Sequence, residues 1–138
     1  MSADIKGSEA LADSSLSDPQ ALRVRLLHLH KELLEMERVR FERVFGSVNS
    51  GELLDLVINH AQFAWLRLIS ALVVQIDEML NADEPPTVKD HQELLAQARL
   101  LFTSPADEEF KAKYQTALQL EPAVVIAHSE VMSLLRQL

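Results

Sequence analysis

Ala61-Gln62-Phe63-Ala64-Trp65-Leu66-Arg67-Leu68-Ile69-Ser70-Ala71-Leu72-Val73-Val74-Gln75-Ile76 carries one charged side chain, Arg67, in sixteen residues. A helix on the surface of a globular protein shows an apolar stripe and a polar face; one this apolar all round is covered by neighbours on most of its circumference. Gln62, Arg67 and Gln75 interrupt the run, which falls short of the roughly 20 apolar residues that cross a bilayer. The apolar character extends from Leu53 to Leu80, where Asn81-Ala82-Asp83-Glu84-Pro85-Pro86 ends it, because consecutive prolines cannot continue a helix. The stretch therefore predicts a long central helix over about 51–80.

Upstream, Ser17-Asp18-Pro19 joins capping acceptors to a proline at the first helical position, a strong helix start. Leu22, Leu26, Leu29, Leu33 and Met36 then recur at four-three spacing, widened by Leu27, Leu34, Phe41 and Phe45, up to Gly46, a residue suited to closing a helix. Asn49 or Ser50 caps the second helix. Downstream, Thr87 with Asp90 forms a capping box for a third helix reaching about Phe102. Ser104-Pro105 reads as the start of a fourth helix, bearing Phe110, Tyr114, Ala117 and Leu118, and Glu121-Pro122 starts or kinks a last one bearing Val124, Val125, Val131, Leu134 and Leu135. No segment alternates as a strand would. The pattern predicts an all-α, antiparallel four- or five-helix bundle over 18–138, with 1–17 as a flexible tail of small and polar residues.

The length of 138 residues suits one domain, and a hydrophobic share of 48% suffices for a packed core. A net charge of −8 disfavours general affinity for nucleic acid or anionic lipid. Absence of cysteine excludes disulfides and thiolate metal sites and fits a reducing cytosol. With no basic start followed by an apolar segment in 1–17, the expectation is a cytoplasmic protein.

Candidate chemistry is sparse. Di-iron bundles carry Glu three residues before a metal-binding His; here Arg25, Leu27, Val57, Val88 and Val125 precede His28, His30, His60, His91 and His128 at that spacing. His28 and Glu32 share a helix face but read as a solvated pair. There is no cysteine nucleophile, no Gly-x-Ser-x-Gly and no phosphate loop among three glycines. Asp77 and Glu78 point about 100° apart on a helix, too far for an acid/base pair, and read as a capping charge and a salt-bridge partner. Basic Arg23, Arg25, Arg38, Arg40 and Arg43 interleave with Glu32, Glu35, Glu37 and Glu42, the pattern of an ion-paired, solvated face. No catalytic residue, metal site or cofactor is expected. Arg67 stands out: within an apolar helix it needs partners, for which Glu35 and Glu42 are the candidates. In the alternative reading Arg67, with His30 or His60, binds a small ligand or metal.

On a continuous 100° wheel, the polar residues Glu52, Asn59, Ser70, Asp77 and Asn81 share a narrow stripe with Leu56, Phe63, Leu66, Val73 and Val74. Either the later helices wrap this mixed face or it packs on a second copy, and two-fold pairing is the commoner solution for a self-complementary apolar face. Phe63, Leu66, Val73 and Val74 are thus the expected homodimer interface. Phe63-Ala64-Trp65-Leu66-Arg67, followed by Ile76-Asp77-Glu78, resembles a family of small bacterial helical proteins of unknown function; the resemblance implies a helical fold and a bacterial origin, and carries no catalytic assignment. The sequence reading is a non-catalytic cytoplasmic interaction or regulatory protein, homodimeric, with an unidentified protein as a further partner and neither nucleic acid nor membrane among its partners.

Overall fold

Proline has no N–H to donate and a φ already near the helical value, so Asp18-Pro19 opens α1 (Asp18–Phe45) without loss. The chain was described by a computed structural model that covers residues 18–137; the proposed tail over 1–17 lies outside the described residues. After α1 come α2 (Ser50–Asn59), a short 3-10 segment (Ala61–Leu66), α3 (Arg67–Leu80), α4 (Val88–Thr103), α5 (Glu108–Leu120) and α6 (Pro122–Gln137). The described residues are all-helical, with no strand. No single helix among them is long and apolar enough to cross a membrane.

Local signals account for most helix ends. Gly46 closes α1 with φ +91°, a left-handed conformation that side chains resist. The Asn49 side chain accepts from the Glu52 N–H while Glu52 accepts from the Asn49 N–H, and Thr87 and Asp90 repeat this reciprocal arrangement at the start of α4. The start of α5 differs from expectation. Asp107, accepting from the Phe110 N–H at 2.8 Å, is its cap, whereas Ser104 closes α4 by donating its N–H to the Leu100 carbonyl. Ser104-Pro105 is therefore a connection and not a helix start.

The four-three stripe of α1 is the spine of the core: Leu22, Leu26, Leu29, Leu33 and Met36 are all buried. α1 packs on both α6 and α3. Phe63, Trp65, Leu66, Ile69, Leu72, Val73 and Ile76 meet it from the 3-10 segment and α3, with Leu94, Ala98, Phe110, Val124 and Val131 among the contributions of the later helices.

The predicted single helix over 51–80 is broken. His60 adopts an extended backbone (φ −97°, ψ 135°), and the axes of Ser50–Asn59 and Ala61–Leu80 diverge by 77°. The cause is local. The His60 Nδ1 accepts from the Gln62 N–H at 3.1 Å, which caps a new helical start in place of a continuing turn. The following six residues then wind at three per turn, so Phe63 and Leu66 eclipse each other and both point inward. Relative to a continuous α-helix, six such residues advance the phase by about 120°, so a wheel drawn through the break misassigns every face beyond it.

That phase error explains a second correction. Phe63, Leu66 and Val73, expected at a subunit contact, are buried within the chain, and of the four proposed interface residues only Val74 is exposed, at 53%.

Gly46 and Gly51 separate backbone strain from packing. A Cβ at Gly46 meets nothing within 4 Å, but its positive φ makes Gly46→Ala destabilising by about 1 kcal/mol. Gly51, in the first turn of α2, would place a Cβ in ordinary contact with Asn49, so Gly51→Ala should be neutral or gain up to about 1 kcal/mol. Chemical denaturation midpoints of the two variants should move in opposite directions or only for Gly46.

Candidate functional site

Four residues beyond Leu33, on the same side of α1, stands a carboxylate. Glu37 is 2% exposed. Burying it requires donors, and the 3-10 segment supplies them: the Trp65 indole Nε1 donates to Oε2 at 2.9 Å, and Gln62 Nε2 donates to Oε1 at 2.9 Å and to the Glu37 main-chain carbonyl at 3.1 Å. The half-exposed Arg40 brings a positive charge 3.8 Å from Oε2. Both oxygens are thereby engaged by groups that fix the 3-10 segment against α1. The sequence reading placed Glu37 on the solvated face. Its position in the four-three stripe was the available signal, since an acid on a buried stripe implies N–H donors elsewhere, and Gln62 and Trp65 offer them within the apolar run.

Just before this anchor, α2 projects as an arm. It has no buried residue: Leu53, Leu56 and Val57 pack partly on the core, while Leu54 and Ile58 are 61% and 56% exposed. At its start, the Val48 N–H donates to Glu42 Oε2 at 2.9 Å. At its end, the Arg67 guanidinium donates to the Ile58 carbonyl, placing a cation at the negative pole of the helix. The Phe41 ring lies edge-on to His60 at 5.4 Å and close to Phe45 at 4.7 Å. Between the end of α1 and the arm opens a cleft of about 740 Å³, with Phe41, Phe45, Val48 and Leu56 among its apolar walls and Asn49, Glu52 and Asp55 at its polar edge. Apolar walls with a carboxylate edge can receive an apolar side chain beside a cation; they hold no nucleophile paired with a base.

The residues of the alternative ligand reading do not form a site. Arg67 is exposed rather than buried, because the break at His60 puts it on the outer side of α3. Its expected partners Glu35 and Glu42 both pair with Arg38, Glu42 at 2.7 Å. His60 is occupied as a cap. His30 is half-buried on α1, and burial lowers its pKa below the usual 6.5. None of the three lines the cleft beside the arm.

Two histidine contacts resemble catalytic pairs. Tyr114 Oη and His128 Nδ1 are 2.7 Å apart beside Phe102, in a recess of about 150 Å³. Burial raises the phenol's pKa and, with the nearby Arg136 charge, lowers that of the imidazole, so both groups are held in their uncharged forms. The pair packs at the edge of the core beside Phe102. His28 lies 2.8 Å from Glu130 and 3.4 Å from Glu32, joining α1 to α6. Among the described residues no group of three or more His, Asp or Glu side chains could hold a metal ion. Asp77 is ion-paired with Arg23 at 2.6 Å.

Comparison with family models, curated proteins and solved structures gives no match.

Removing the Glu37 carboxylate leaves the buried indole N–H unpaired. Glu37→Leu should lose about 2 kcal/mol of stability and change the emission of Trp65, the single tryptophan of the chain, which urea titration followed by fluorescence reads directly. The depressed pKa values of His30 and His128 mean that the unfolded chain binds more protons than the folded one below the ordinary value of 6.5. Their contribution is favourable above that pH and is lost as pH falls through it. Denaturation midpoints measured on either side of 6.5 should therefore drop on acidification, and the drop should shrink in the His30→Leu/His128→Phe double variant.

Proposed function

We propose that this chain is a non-catalytic interaction or regulatory module of the cytoplasm, an antiparallel helical bundle that works as a homodimer and presents its arm to a protein partner. The observation that carries the reading is the distribution of apolar surface. The core buries a continuous apolar cluster, yet Phe45, Leu54 and Ile58 stand in water around the arm, and Leu68 and Leu100 share an apolar groove of about 300 Å³ with Leu101 and Pro105. An apolar groove of this kind marks contact sites more often than scattered exposed side chains do.

The engagement of Arg67 and His60 in holding the arm supports an interaction role over the ligand-binding alternative. The charge of −8 and the lack of cysteine support a soluble protein partner in a reducing compartment over nucleic acid. Kinship with small bacterial helical proteins, suggested by Phe63–Glu78, belongs to the same proposal.

Sedimentation velocity over a wide concentration range tests the assembly. The expected mass rises from the 15.5 kDa of the single chain towards twice that value with concentration. A single species of 15.5 kDa throughout would remove the homodimer.

A further inference from the structure

The outward face of α3 is a short seam. Arg67, Ala71, Val74 and Glu78 are exposed, whereas Ile69, Leu72, Val73 and Ile76 are buried on the opposite side. The spacing of the exposed four is four, three, four, the interval at which side chains line one helix–helix contact. Arg67 and Glu78 lie equally far from the point midway between Leu72 and Val73, and so do Ala71 and Val74. From the homodimer reading above, we infer that a second copy of this chain docks along this seam, antiparallel, about a two-fold axis through that point.

In that arrangement each Arg67 meets Glu78 of the other copy, and each Ala71 meets Val74. The small Ala71 permits close approach of the two helix axes, and Val74 fills the space left opposite it. Charge selects the direction, since a parallel pairing would set Arg67 against Arg67 and Glu78 against Glu78, whereas the antiparallel one forms two opposite-charge pairs. The groups are available. One guanidinium N–H of Arg67 binds the Ile58 carbonyl, but the group carries five donors. Glu78 pairs with no cation among the described residues, and the neighbouring Asp77 is committed to Arg23. Leu68 flanks the seam and continues it into the apolar groove bordered by Leu100 and Pro105, which adds contact area on that side. A contact built on one 14-residue helix is smaller than the roughly 800 Å² per partner of a standard interface, so association should depend visibly on concentration.

Charge reversal provides the test. Sedimentation velocity is run on the wild type, Arg67→Glu, Glu78→Arg and an equimolar mixture of the two variants, with far-UV circular dichroism recording helicity. Each variant alone opposes like charges and should self-associate more than about tenfold more weakly. The mixture restores both opposite-charge pairs and should dimerise as the wild type does. Val74→Glu, at a position without a polar contact, should also give monomer, and with Glu78→Arg it decides the matter if Arg67→Glu loses helicity through its link to the arm. A wild-type dimer unaffected by Glu78→Arg and Val74→Glu overturns the seam and leaves the homodimer standing. Two folded single variants that remain monomeric when mixed likewise overturn it. A wild type that is monomeric at every concentration overturns both.

Discussion

A carboxylate buried in the spine of the core decides how the middle of this chain can run. Glu37 has to be hydrogen-bonded on both oxygens, and from α1 it has only the Arg40 charge at 3.8 Å. Trp65 and Gln62 can supply both bonds, but only if the segment between residues 61 and 66 lies flat against α1 with the indole and the amide turned to the same side. A regular helix running from Ser50 to Leu80 would also keep residues 62 and 65 on one face, but along the axis of Ser50–Asn59, 77° from the one they follow. Three-residue turns after an extended His60 bring them together and turn Phe63 and Leu66 inward at the same time. Hydrogen bonding and apolar burial thus favour the same local geometry, the kind of agreement between levels that specifies one structure.

The break has consequences on both sides. Before it, α2 is too short and too far turned to reach the core with more than Leu53, Leu56 and Val57, which leaves an arm with Leu54 and Ile58 outward. Beyond it, α3 starts in a new phase, so the single charge of the apolar run emerges at the surface and caps the arm through the Ile58 carbonyl. Arg67 therefore joins two features that the proposed function uses, the arm and the seam. The Tyr114–His128 contact and the His28–Glu130 bridge belong to the packing of the C-terminal helices and of α6 on α1.

What was legible in the sequence follows the range of the forces involved. Caps depend on residues within three positions of the bonds they make, so Gly46 and Thr87 were readable and the cap of α2 was narrowed to Asn49 or Ser50. The α1 stripe was readable too, since its period needs no knowledge of partners. The all-helical class followed from the same local signals. Two kinds of feature were hidden. The break at His60 depends on a side-chain acceptor competing with the backbone and on donors required by a residue 28 positions away, Trp65 bonding Glu37, which no local pattern records. Once the break was missed, a wheel drawn through it placed Phe63, Leu66 and Val73 on a surface they do not occupy, and buried Arg67 where it is exposed. At Ser104-Pro105 a plausible cap lost to Asp107, three residues on, and residues 104–107 make the turn between α4 and α5.

The Trp65 indole N–H offers the most direct view of the central constraint, since it is the one proton of its kind in the chain. Its hydrogen exchange, followed by NMR, should be as slow as that of the backbone amides of Leu29 and Ile69 in the core, because the bond to Glu37 opens only when the 3-10 segment leaves α1. Exchange at the rate of a solvated indole, with Leu29 and Ile69 still protected, would show that the carboxylate does not hold this segment and would contradict the account.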